Sequence, residues 1–193
     1  QSPQGNRGGT LNFAIGGMTG NMCCGFYQPS QDLANAFQTS NGLPLLDTYN
    51  QTDIANDAGI NSDEPFTPHA GPLDPRIDFT IGRRGIEYNG YGPFTGKENI
   101  RASFSDISGP YAAKKSMYYA GDDTNKGTGG WGQQRSGINY HIIRYADVLL
   151  MAAEAAVESG SLETARGYVN QVRQRAIDGP RADSSPNLSL IHI

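Results

Sequence analysis

The 193 residues include 25 glycines and 11 prolines, roughly one residue in five, against about one in eight in an average protein. A hydrophobic fraction of 37% with only 18% charged residues excludes an intrinsically disordered chain and indicates a folded, loop-rich one. The net charge of −4 argues against a nucleic-acid-binding protein, and no apolar run approaches the roughly 18 residues of a membrane-spanning helix.

Both ends of the chain have the character of a fragment. The chain starts at Gln1 without a methionine or an apolar signal segment, so any such segment is expected upstream. The last six residues, 188–193, read Leu-Ser-Leu-Ile-His-Ile, which matches the translation of a sequencing adaptor. We therefore expect a C-terminal fragment of a longer protein whose tail, 180–193, ends in six artefactual residues.

Residues 1–135 are predicted to form a loop-rich region with one short helix near 30–38. Ser30 can cap that helix, and Leu33, Ala34 and Phe37 fall on one helical face. Short extended segments are expected at 11–15 and 77–81.

Residues 136–179 are predicted to form an antiparallel helix pair. The first helix runs from Tyr140 to Glu158, with Asn139 as its cap, and its broad apolar surface indicates packing on more than one side. Gly160 stands where a helix C-terminus favours a left-handed residue, and Ser161 caps the second helix, which Gly179-Pro180 ends. Within the first helix, Arg144 and Asp147 are assigned to structure as an i,i+3 ion pair.

Small residues at Ala153, Gly160 and Ala165 have the spacing of a tetratricopeptide-type repeat. Because one such hairpin cannot bury its outer apolar faces, further helices are expected to cover it. We interpret the whole chain as one fragment of a single domain.

The motifs of catalysis and metal binding are sparse. Outside the tail the chain has two histidines, His69 and His141, and no His-Glu-x-x-His sequence; His141 is expected to be a packed residue at the start of a helix. The glycine-rich stretch 127–132 lacks the flanking strand and helix of a dinucleotide site, so we expect a flexible loop there. Cys23-Cys24 can be a strained disulfide or, as we favour, two reduced thiols. We predict no catalytic residue, no cofactor and no metal.

Aromatic residues in Gly-, Asn- and Pro-rich loops are more informative. Such rings can stack on the apolar face of a sugar while neighbouring Asn, Gln or Arg side chains bind its hydroxyl groups. The alternative for any single ring is that it anchors its loop to the core. On this argument alone the predicted ligand-binding residues are Trp131, Tyr27, Phe26, Tyr88, Tyr91, Asn89 and Arg83.

Four sequence blocks, in order, resemble the SusD/RagB family of outer-membrane nutrient-binding lipoproteins. One is the helical stretch Ile143–Ala155 (IRYADVLLMAAEA), continuing through Ala165, Asn170–Arg173 and Arg175-Ala176. The others are Pro29–Phe37, Asp74–Arg76 with Thr80–Arg83, and Gly109–Tyr111 with Lys114-Lys115.

The resemblance implies a mainly α fold, with tetratricopeptide-like helix pairs and a large loop-rich region packed on them. It also implies a binding protein, not an enzyme, on the extracellular face of the outer membrane. Such a protein delivers oligosaccharide to a SusC-like TonB-dependent transporter and contacts the membrane only through an upstream lipid anchor. The family blocks are scaffold motifs, so no ligand-contacting residue carries over from them.

Three alternatives stay open at this point. The ligand can be a non-sugar nutrient, such as a peptide or a metal chelate. The protein can be a glycan-cleaving enzyme, which needs two carboxylates across the scissile bond. It can also be a pure interaction scaffold without an aromatic binding surface.

Overall fold

The computed structural model describes residues 27–100, 109–115, 117–125 and 141–178. These residues divide into two compact units, 27–125 and 141–178. Helices supply most of the regular structure, as expected for a mainly α protein. The prediction that the chain is one fragment of a single domain stays a prediction. The following calls lie outside the described residues: the segment 11–15, Cys23-Cys24, the glycine-rich stretch 127–132, the Asn139 cap, Gly179-Pro180 and the tail 180–193.

The first unit begins with helix α1, Gln31–Asn35. The Ser30 hydroxyl accepts a hydrogen bond from the Leu33 N–H at 3.0 Å, which is the capping role predicted for it. Ala34 is fully buried and Phe37 is partly buried. Leu33 is exposed in this five-residue helix.

A short hairpin follows helix α1. Strand β1, Thr39–Ser40, pairs antiparallel with β2, Leu43–Pro44. The two-residue turn is Asn41-Gly42, and both residues have positive φ, as a tight hairpin turn of the primed type requires.

The segment around Asp74 is a capped 3₁₀ helix, Pro75–Phe79. The Asp74 carboxylate accepts from the Arg76 N–H at 2.9 Å, which is the capping role that aspartate before Pro-x favours. The extended segment predicted over 77–81 is wrong, because proline at the first position and the Asp74 cap favour a helical turn. Only Ile81, at the start of strand β3, Ile81–Gly82, is extended.

An apolar core packs helix α1 and strand β3 together in the first unit. Strand β3 pairs antiparallel with β4, Ala112–Ala113, in the register Ile81 to Ala113. The Tyr111 hydroxyl, beside β4, donates to Gln31 Oε1 at 3.0 Å and so ties the strand to helix α1. The buried members of this core are Ala34, Ile54, Leu73, Ile77, Ile81 and Tyr111.

A buried ion pair lies next to this core. Asp78 and Arg83 are only 1% and 4% exposed. Arg83 donates to the Asp78 carboxylate through Nε at 2.8 Å and Nη2 at 3.0 Å, a two-pronged geometry. The Lys114 ammonium donates to the backbone carbonyl of Asp78 at 2.5 Å, so the strand pair and the 3₁₀ helix are joined by charged hydrogen bonds.

The second unit is the helix pair α2, Tyr145–Glu158, and α3, Leu162–Asp178. The predicted start of α2 at Tyr140 is wrong. Asp147 accepts the backbone N–H of Arg144 at 2.9 Å, and this contact makes Arg144 the N-cap residue. His141 therefore precedes the helix and is exposed, contrary to its predicted packing. The predicted pair between Arg144 and Asp147 is present, with 3.6 Å between Nη2 and Oδ1.

The turn between the helices is a Schellman motif. Gly160 has φ +77°, and its N–H and that of Ser161 donate to the carbonyls of Val157 and Ala156. Beyond the turn, Ala156 and Ala165 pack together with Ala153, and Tyr168 and Val169 lie against them. Small residues thus lie at the helix contact, as the repeat-like spacing predicts.

The outer surface of the helix pair is apolar and exposed. The packing of α2 on more than one side is therefore not seen among the described residues, where its cluster of buried side chains faces α3. The exposed apolar side chains here include Ile142, Ile143, Tyr145, Val148, Met151, Leu162 and Ile177.

Breaking the buried ion pair should destabilise the first unit. For Asp78→Ala we expect the opening free energy of the β3 and β4 amides, measured by hydrogen exchange, to fall by about 3–5 kcal/mol. The reason is that the desolvated Arg83 guanidinium then loses the Asp78 carboxylate. The control is Glu163→Ala, which removes an exposed partner of Arg166 and should cost less than about 1 kcal/mol in α3. Similar losses in the two variants would contradict the role given to the buried pair.

Two glycine substitutions in the helix pair should have opposite signs. Gly160→Ala places a side chain at positive φ, where no neighbour would touch it, and should destabilise the pair by about 1–2 kcal/mol. Gly167→Ala lies inside α3 with equally open space and should stabilise it by about 0.5–1 kcal/mol. Hydrogen exchange of α2 and α3 amides measures both, and equal signs would refute the assigned turn conformation.

Candidate functional site

The structure describes five of the seven residues predicted to bind ligand. Phe26 and Trp131 lie outside the described residues. Tyr27 is exposed and Tyr91 is half-buried, whereas three others are buried. The buried residues are Tyr88, Asn89 and Arg83.

Arg83 and Tyr88 are occupied by contacts within the protein. The guanidinium of Arg83 is held by Asp78, as described above. The Tyr88 hydroxyl donates to the Ala113 carbonyl at 2.6 Å, and the ring lies 5.4 Å from that of Phe94. Burial raises the pKa of the Tyr88 hydroxyl. In this structure Tyr88 therefore has the anchoring role that the sequence left open as an alternative, and neither side chain presents a face to a ligand.

Tyr88 anchors a hairpin over 87–93. The Tyr88 N–H donates to the Gly92 carbonyl at 3.0 Å, and the turn is Asn89-Gly90, with φ of +49° and +83°. Glu87 closes the turn, since its Oε1 accepts the N–H of Gly90 at 2.8 Å. An Asn-Gly pair is a strong hairpin signal, and this signal could have identified the turn from sequence.

A second turn lies against the first. The Asp122 N–H donates to the Tyr119 carbonyl at 3.0 Å, and the Ala120 N–H donates to the Asn89 carbonyl at 2.8 Å. The Asp122 carboxylate accepts from the backbone N–H and the side-chain Nδ2 of Asn125. These two turns carry Tyr91, Tyr119, Asp122 and Asp123, and we call their outer side the tip surface.

The tip surface combines aromatic rings with negative charge. Tyr119 is 56% exposed, and Asp123 is also exposed. Burial, the neighbouring Tyr118, and the carboxylates of Asp122 and Asp123 together raise the pKa of Tyr91 to about 12. Tyr91 is thus a neutral hydrogen-bonding phenol at physiological pH, in a negative field.

The tip surface includes residues that sequence reasoning did not select. Tyr119, Asp122 and Asp123 are not among the seven residues predicted to bind ligand. An aromatic residue, Gly121 and two carboxylates follow one another closely in the sequence here. This pattern is typical of a polar turn and could have predicted one.

Among the described residues no group of three or more His, Cys, Asp or Glu side chains could hold a metal ion. No helix in the described ranges is long and apolar enough to span a bilayer. The imidazole of His69 accepts the Ala55 N–H at 3.2 Å, and burial followed by the nearby Arg83 lowers its pKa. His69 thus serves to hold a loop.

The comparison with protein families decides the identity of the scaffold. The profile of the SusD family matches residues 1–189. The chain belongs to the SusD/RagB family. No curated protein matches the chain. Proteins of this family are helical, tetratricopeptide-like proteins that bind nutrients, typically glycans, at the cell surface, and they are not typically enzymes.

The structure shows what three of the SusD/RagB sequence blocks do. Ala34 from the block Pro29–Phe37, Ile81 from Thr80–Arg83 and Tyr111 from Gly109–Tyr111 meet in one buried core. Lys114, also in the third block, binds the carbonyl of Asp78 beside the second. These blocks therefore build the base on which the hairpin 87–93 and the tip surface are mounted.

Alignment of the two turns should depend on Gly90. Its φ is +83° and an added Cβ would lie 3.3 Å from the Ala120 Cβ, so Gly90→Ala should push the turns apart as well as strain the hairpin. The matched control is Gly92→Ala, which also has positive φ but meets nothing within 4 Å. We expect both variants to lose about 1–2 kcal/mol. Only Gly90→Ala should speed hydrogen exchange at the Ala120 amide selectively, and equal exchange in both variants would contradict the contact.

Proposed function

We propose that this SusD/RagB protein binds an oligosaccharide on its tip surface and passes it to a SusC-like TonB-dependent transporter. The protein would act on the extracellular face of the outer membrane, held there by an upstream lipid anchor. The observation that carries the proposal is an exposed aromatic side chain, Tyr119, set beside carboxylates on two hydrogen-bonded turns.

The chemistry of the tip surface suits a sugar. The face of an aromatic ring packs on the C–H groups of a pyranose ring, while a carboxylate accepts hydrogen bonds from its hydroxyl groups. Tyr119 supplies the ring, Asp123 an exposed carboxylate and Tyr91 a neutral phenol. Because both turns are fixed by backbone hydrogen bonds, little conformational freedom is lost on binding.

The other residues predicted from sequence have two kinds of role in this proposal. Trp131, Phe26 and Tyr27 stay proposed as residues that stack on the ligand. Tyr88, Asn89 and Arg83 are proposed to act by holding the hairpin that carries Tyr91.

Binding without catalysis is the favoured mechanism. Glycoside hydrolysis needs two carboxylates placed on opposite sides of the scissile bond. Asp122 and Asp123 are adjacent in one turn, and the Asp122 carboxylate is engaged by Asn125. This arrangement supports positioning of sugar hydroxyls better than acid–base chemistry.

The test is calorimetric binding of the full chain to a panel of neutral oligosaccharides, with reducing ends assayed in parallel. Tyr119→Ala should weaken binding about threefold to tenfold, the value of one aromatic contact. The control Tyr145→Ala removes an exposed tyrosine from the helix pair and should leave affinity unchanged.

Other outcomes of this experiment would support a different site, a different ligand or an enzymatic function. Saturable binding that is insensitive to Tyr119→Ala would move the site away from the tip surface. Binding of a peptide or metal chelate but of no oligosaccharide would favour the non-sugar alternative. Release of new reducing ends would make the protein an enzyme.

A further inference from the structure

Three carboxylates surround the two turns of the tip surface. Glu87 lies at the base of the hairpin, where its Oε1 accepts the N–H groups of Gly90 and Gly92 at 2.8 and 3.2 Å. Asp122 and Asp123 belong to the facing turn. A ligand on Tyr91 therefore approaches the negative charges of Asp122 and Asp123 as well as an aromatic ring.

Among the described residues, two basic side chains near the base of the hairpin, Lys114 and Arg83, are directed inward. The Lys114 ammonium donates to the carbonyls of Asp78 and Glu87 and lies 5.7 Å from the centre of the Tyr88 ring. Arg83 is paired with Asp78 in the core. Both positive charges stabilise the scaffold and are directed away from a ligand on the exposed side. Lys115, which is exposed and four residues before Tyr119, is the basic residue to test.

We propose that the tip surface selects uncharged oligosaccharides and discriminates against those that carry carboxylate or sulfate groups. This inference rests on the proposed function, since it names the ligand class of the same surface. A neutral sugar donates its hydroxyl hydrogens to the carboxylates. An anionic group on the sugar has no hydrogen to donate, and it meets a like charge.

The expected difference in affinity between neutral and acidic oligosaccharides is small but measurable. Two like charges about 4 Å apart in a water-like environment repel by an amount that corresponds to about a fivefold change in affinity. The effect on an exposed surface is screened by salt, because the Debye length is about 10 Å at 0.1 M and shorter above it. If charge causes the discrimination, the ratio of affinities for the neutral and the acidic oligosaccharide should fall as ionic strength rises. If shape causes it, that ratio should not change with salt.

The experiment compares ligand pairs of equal size that differ by one carboxylate in place of a hydroxymethyl group. One pair is glucohexaose and the same hexamer oxidised to the carboxylate at C6. The other is xylohexaose that carries one glucose substituent or one glucuronic acid substituent. At low salt we expect the neutral member of a bound pair to bind the full chain about fivefold more tightly, with a smaller ratio at about 0.5 M salt.

Two variants test the source of the discrimination. Asp123→Asn keeps the side-chain shape and removes one exposed charge, so the neutral-to-acidic affinity ratio should fall about twofold to threefold. Asp47→Asn, at an exposed carboxylate in another turn of the same unit, should leave that ratio unchanged.

The outcomes separate this inference from the function it rests on. Equal or tighter binding of the acidic members, weakened by Lys115→Ala, would overturn the selectivity while leaving glycan binding in place. An unchanged ratio in Asp123→Asn would also overturn it. Failure of every oligosaccharide to bind would refute the proposed function, and the selectivity with it.

Discussion

The buried pair between Asp78 and Arg83 is the contact on which the rest of the first unit depends. It lies between the 3₁₀ helix and the residue after β3, and both charges are almost completely removed from water. A desolvated pair of this kind is tolerated only when its remaining hydrogen-bonding groups are satisfied. Its two-pronged geometry and the Lys114 contact to the adjacent carbonyl meet that condition and fix the relative position of three chain segments.

From this base a chain of hydrogen bonds leads to the exposed surface. Lys114 also donates to the Glu87 carbonyl, and the Glu87 carboxylate holds the amides of the turn above it. The Asn89 carbonyl then accepts the Ala120 N–H of the facing turn. The position of Tyr91 and Tyr119 is thus set by contacts that begin in the core, although the surface itself consists of loops. This arrangement is how a SusD/RagB scaffold can present a preformed site on turns without regular secondary structure.

Negative charge at the tip and positive charge in the base have separate roles. The lysine and arginine near the hairpin are used to hold backbone carbonyls and a buried carboxylate. The carboxylates of Asp122 and Asp123 are instead on the turn that faces outward. The same separation that stabilises the fold gives the tip surface its acidic character.

The sequence by itself determined the family and the contacts that span a few residues. Four ordered blocks identified the SusD/RagB scaffold, and the Ser30 cap, the Asp74 turn, the Arg144–Asp147 pair and the left-handed Gly160 each follow from residues within four positions of one another. Two predictions are wrong because a local hydrogen bond favours another conformation. The contact of Asp147 with the Arg144 N–H makes α2 begin at Tyr145, and the Asp74 cap favours a 3₁₀ helix where an extended segment is predicted. Only the tertiary structure decided which aromatic residues anchor and which are exposed. Tyr88 is buried because its hydroxyl reaches Ala113, 25 residues away, and Tyr119 is placed by a backbone bond from Ala120 to Asn89. No local pattern encodes contacts of that length, since they depend on how the blocks pack into one core.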